Sequence, residues 1–154
     1  MNPTVGKIDD AQIIAEAIRL VNEGVEVIFP VKGWSMRPFI EGDRDSVLLV
    51  RPVGVKPMDV VLARIDEKRY VVHRILSVDE NRVTLMGDGN LLGREYCNSE
   101  DVCAKVTHVV RPSGRRRSLE SAPMRFAQKM WLRLLPVRKY LLKFYRIYNR
   151  IREW

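Results

Sequence analysis

The residues able to do chemistry sit in three short stretches. "GWSMRP" carries Ser35, "YVVHRI" carries His73 and "LMGDGN" carries Asp88. A serine hydroxyl is a poor nucleophile at neutral pH until a neighbouring base takes its proton. Imidazole titrates near neutrality and can accept that proton and later return it. A carboxylate at the second ring nitrogen would fix the tautomer. Each residue also has an ordinary reading. Ser35 and Asp88 lie in turns, and His73 shares a strand face with Val71 and Ile75. The glycines beside Asp88 allow its turn a close approach to other backbone. Cys97 and Cys103 read as free thiols. Together with two histidines at no close paired spacing they make a poor zinc set, so neither metal nor cofactor is expected.

These stretches need elements to hold them. Asp9 or Asp10 can cap a helix whose Ile13, Ile14, Ala17, Ile18 and Val21 recur at helical spacing, with Gly24 ending it. The period then changes to two. "VEVIFPV", "DSVLLVRP", "DVVLARI", "RYVVHRILSV", "RVTLMG" and "DVCAKVTHVV" read as about six strands, with little helix between them. The expected fold is α+β, mainly β. It is a coiled antiparallel sheet or small barrel with an N-terminal helix and basic amphipathic helices at the C-terminus.

Four features occur in a fixed order: Ser-Met-x-Pro at Ser35, Gly-Asp at Gly42, His-Arg-Ile at His73 and Gly-Asp-x-Asn at Gly87. Each is weak alone. In this order they resemble the signal peptidase superfamily of serine peptidases, which includes type I signal peptidases and self-cleaving repressors. The resemblance covers roughly residues 27–110 and is nearest to the serine–histidine branch found in archaea and the endoplasmic reticulum. It implies that Ser35 is the nucleophile, His73 the general base and Asp88 the group that orients or charge-balances His73. Asp43 has the ordinary reading of a turn residue, building the turn beneath Ser35 rather than reacting. Gly33, Trp34, Met36 and Pro38 would position the nucleophile, the oxyanion and the substrate. Gly33 stands where many signal peptidases carry an oxyanion-binding serine. Arg94, with Glu95 beside it, falls near the place of a second acid.

Charge divides the chain. Residues 1–110 hold 14 Lys and Arg against 17 Asp and Glu, a balance of −3. Residues 111–154 hold 13 against 2, a balance of +11. The division is therefore a catalytic body over 1–110, a basic linker over 111–118 ("RPSGRRRS") and a basic helical tail over 119–154. Pro136 should split the tail into two helices. Phe126, Met130, Leu134, Leu141, Tyr145 and Tyr148 trace an apolar face. Arg125, Lys129, Arg133, Arg138, Lys139, Lys143 and Arg146 fill the intervening positions, and Trp131 adds an interfacial ring. That composition suits a helix lying on an anionic membrane surface. Packing against the body or a protein is the rival reading, and nucleic acid is disfavoured for want of a binding motif.

No run of about 18 uncharged apolar residues is present, and the N-terminus carries acids where a secretory signal would be basic and then apolar. The expected location is the cytosol, with the tail able to hold the chain at the inner face of the membrane. The expected function is a serine endopeptidase that cleaves a leader or precursor polypeptide through an acyl-enzyme on Ser35. One alternative is a non-catalytic adaptor that uses a peptidase fold to present its tail to a membrane or protein. A weaker one is a repressor-like self-cleaving regulator. The chain contains no Ala-Gly or Cys-Gly bond for self-cleavage.

Overall fold

A computed structural model describes residues 10–67 and 69–152. Helix α1 spans Asp10–Asn22. Eight strands follow: β1 (Val27–Pro30), β2 (Ser46–Val50), β3 (Val60–Arg64), β4 (Tyr70–Asp79), β5 (Arg82–Met86), β6 (Glu95–Asn98), β7 (Val102–Val110) and β8 (Arg116–Ser118). Helices α2 (Ala122–Arg133) and α3 (Arg138–Arg152) end the chain. Asp9, one of the two expected caps of α1, lies outside the described residues.

The strands form one antiparallel sheet in the order β1-β2-β7-β3-β4-β5-β6, with β8 paired to β7. Its ends do not meet, so of the two expected forms the fold is the open coiled sheet and not a barrel. Register shifts at Leu48/Leu49, Leu62/Ala63 and Ile75/Ser77 add local twist and curl the sheet. The curl covers both faces of the central strand. Val60 and Leu62 of β3 join the cluster under α1, while Val61 and Ala63 join a second cluster with Ile75, Val83 and Leu85. A strand buried on both faces reads as an unbroken apolar run, and "VVLA" is one. Ala17 and Val21 of α1 seat the helix on the first cluster.

Two strands were not visible as patterns. The four residues of β6 (EYCN) do not alternate cleanly, and β8 (RRS) is three residues long and basic. The second corrects the linker assigned to 111–118. After a turn in which the Gly114 amide donates to the Arg111 carbonyl, the chain returns as β8 along β7. It occupies the flank of β7 beyond the end of β3, which leaves β7 at Val106. The tail therefore begins hydrogen-bonded to the sheet. Its helices divide at Leu135–Val137, a short 3-10 turn holding Pro136, as the missing proline N–H requires.

Candidate active site

Ser35 lies in a tight turn over residues 35–39, closed by the Arg37 amide on the Trp34 carbonyl and by the Phe39 and Ile40 amides on the Met36 carbonyl. Met36, 1% exposed, anchors this turn in the core. Two further turns brace it. Gly42 packs so closely on Gly33 that a Cβ would fall 1.8 Å from the Gly33 carbonyl oxygen. Gly33 itself has φ +79°, where glycine is preferred. From the other side the "GDGN" turn lies directly on the Ser35 backbone. The Gly89 amide donates to the Ser35 carbonyl at 2.8 Å. A Cβ on Gly87 would meet that oxygen at 2.3 Å, and one on Gly89 would meet the Trp34 carbonyl oxygen at 2.4 Å. Asp43, at φ 63°, donates its amide to the Val31 carbonyl at 2.7 Å and thereby builds the turn before β2.

Ser35 and His73 wall one cavity of about 360 Å³. Its other walls are mostly apolar: Ile13 and Ile14 of α1, Phe29 and Pro30 of β1, Leu62 of β3 and Tyr70 of β4 among them. Lys32 reaches it too, a residue that motif reading passed over because it lies outside "GWSMRP". A second groove of about 370 Å³ continues between α1 and β1 and shares Ile13, Phe29 and Pro30 with the first. Gly33, Trp34, Met36 and Pro38 do not line the Ser35 cavity. This narrows their expected roles. Gly33 and Met36 shape the turn from behind, and Trp34, 67% exposed, borders a different cleft with Arg146 and Arg150.

His73 is 4% exposed, and its Nδ1 has no hydrogen-bond partner. Burial pushes its pKa down to about 4, opposed in part by the negative charge of Asp88 and reinforced by Arg69. The ring is therefore neutral at pH 7, the state a general base requires. Among the described residues no hydrogen bond yet joins it to the Ser35 hydroxyl. The Ser35 amide likewise donates to no carbonyl among the described residues. The cysteines are poor rival nucleophiles. They are unpaired, and burial raises both thiols, that of Cys97 to about 11.

Asp88 departs from one of its two expected roles: its charge still acts on His73, but its oxygens do not hold the ring. The carboxylate accepts a bidentate pair from Arg74, at 2.8 Å from Nε and 2.7 Å from Nη2, with both side chains fully buried. Arg74 also donates through Nη1 to the Met58 carbonyl at 2.7 Å and to the Gln128 side-chain oxygen. Gln128 turns its amide to the carbonyls of Leu119 and Met124. Motif reading treated Arg74 only as part of "His-Arg-Ile". Glu95, near the place expected for a second acid, is paired with Arg69 at the surface.

The tail completes this network, which corrects the assignment of Trp131 to a membrane surface. Trp131 is buried and donates its indole N–H to the Asp88 carbonyl at 2.8 Å. Its ring meets Phe39 edge-on, with centroids 6.4 Å apart. Arg138 stacks over the same ring and donates to the Asn90 carbonyl at 3.0 Å. Tyr145 donates to Glu41, which is paired with Arg37. The buried face of α2 is thus Met124, Gln128 and Trp131. The expected apolar stripe is split: Leu134 and Tyr145 turn toward the body, while Phe126, Met130, Leu141 and Tyr148 face outward. Arg125, Lys129, Arg133, Lys139, Lys143 and Arg146 are exposed as expected, but Arg138 is not: it is buried against Trp131 and the Asn90 carbonyl. No helix among the described residues is long and apolar enough to cross a membrane. Comparison with protein-family models, curated proteins and solved structures finds no match to this chain.

Proposed function

We propose that the chain is a serine endopeptidase of the signal peptidase type, with Ser35 as nucleophile and His73 as general base. The observation that carries this reading is that a turn and a distant strand bring a serine and a buried neutral histidine to the wall of one apolar cavity. The Ser35 Oγ attacks the scissile carbonyl while the His73 ring takes its proton. The Ser35 amide donates to the oxyanion. Collapse expels the amine, which leaves with the proton from His73, and water then hydrolyses the acyl-enzyme by the same relay. With Asp88 held by Arg74, the catalytic unit is a dyad.

The substrate is a polypeptide in extended form. Strand β1 is an edge of the sheet, and the groove beside it runs into the Ser35 cavity. A peptide added along that edge would hydrogen-bond through its backbone and set apolar side chains into the two depressions. The test compares protein N-termini in cells carrying the wild-type chain or Ser35→Ala. N-termini seen only with wild type identify the substrate. Identical sets from both overturn the reading and favour an adaptor.

A further inference from the structure

The peptidase reading leaves unused one whole side of α3. A helix advances about 100° per residue, and three faces follow. Arg138, Leu142, Tyr145 and Asn149 turn toward the body and are buried or half-buried. Lys139, Lys143, Arg146 and Arg150 form an exposed basic face. Tyr140, Leu141, Phe144, Ile147, Tyr148 and Ile151 form an exposed apolar face, with Phe144 71% and Ile151 68% exposed. A helix that only packs on its own domain has no need of this third face, since exposed contiguous apolar area marks an interaction site.

Charge selects the occupant. Helices α2 and α3 contain nine Lys and Arg and no acidic residue. A second copy would bring the same positive charge against itself. An anionic bilayer supplies both requirements at once, an apolar phase for the aromatic and aliphatic face and negative headgroups for the basic one. We infer that α3 docks the protein on anionic phospholipid, apolar face inserted and basic face along the headgroups. Arg146 and Arg150 share a cleft with Trp34 and Arg37, so this docking sets the Ser35 turn beside the membrane surface. The inference does not depend on catalysis by Ser35.

The test is flotation of the full chain with vesicles of phosphatidylcholine alone or of phosphatidylcholine containing phosphatidylglycerol, with light scattering on the free protein. Wild type is expected to float with the anionic vesicles and to remain monomeric without lipid. Phe144→Asp combined with Ile147→Asp should weaken binding by at least about 10-fold. Lys143→Glu combined with Arg150→Glu should reduce it by a similar factor, and added salt should weaken wild-type binding. All four side chains are exposed, so these variants keep the fold, which circular dichroism checks. Wild type that fails to float overturns the inference and leaves the face to an acidic protein partner. A wild-type dimer that the apolar variant converts to monomer overturns it in favour of self-association. Apolar variants that bind as wild type does also overturn it, since charge alone would then suffice.

Discussion

His73 and Arg74 are neighbours on β4, and their surroundings are opposites. Arg74 is fully buried and donates to Asp88, the Met58 carbonyl and Gln128. His73 is nearly as buried, yet its Nδ1 meets no partner and the residue lines a cavity. Successive residues of a strand point to opposite sides, so one dipeptide can serve two environments. Saturated polar groups hold structure, because every donor is already committed. An unsaturated one costs stability. Arg74, Asp88, Gln128 and Trp131 form a brace behind the Ser35 turn, while Ser35 and His73 are the pair proposed to react.

That contrast can be broken most sharply through activity. Ser35→Ala and His73→Gln should each lower kcat/KM by at least about 10³-fold. Both should keep a cooperative urea transition near that of wild type. A variant that unfolds while its residual activity per folded molecule is unchanged would move its residue to the brace. Asp88→Asn should behave in the opposite sense. It leaves Arg74 buried without its counter-charge and should cost about 3–5 kcal/mol by urea denaturation. Activity of the folded fraction should survive. Full stability with lost activity would return Asp88 to the catalytic unit.

Titration gives a finer test. The folded pKa of His73, about 4, lies below the ordinary 6.5. Between these values the unfolded chain binds more protons than the folded one, so stability rises with pH across the window. Acidification from pH 7 to pH 4 should therefore remove up to about 3 kcal/mol that the His73→Gln variant does not lose. By the same logic kcat/KM should stay level down to about pH 5 and fall only below it. An activity midpoint near pH 6.5 would contradict the buried neutral ring. The smallest effect is expected from Trp131→Phe, which keeps the ring contact with Phe39 but removes the bond to the Asp88 carbonyl. It should cost about 1 kcal/mol in chemical denaturation.

Most of the fold was legible in the residues. Alternation marked six strands, helical spacing marked α1, and Pro136 marked the break between α2 and α3. Strands β6 and β8 were not legible, since four and three residues carry too little pattern. The location of Ser35 in a turn and of His73 on a strand was also legible. The partner of Asp88 was not. "HRI" offers a base and a cation side by side, and no local rule says which of them a distant carboxylate will meet. Nor could composition tell Trp131 from the exposed aromatics around it.

The sequence by itself determined the order of elements, the turn chemistry around Ser35 and the charge division between body and tail. These follow from local properties: side-chain period, the glycine and proline punctuation, and the count of ionisable groups. Only the tertiary structure decided that the tail braces the Ser35 turn and that α3 keeps an apolar face uncovered. The same packing decided that Asp88 belongs to Arg74. Those outcomes depend on which groups become buried together. A buried carboxylate takes the cation that matches both its oxygens, and the imidazole next door is left without it.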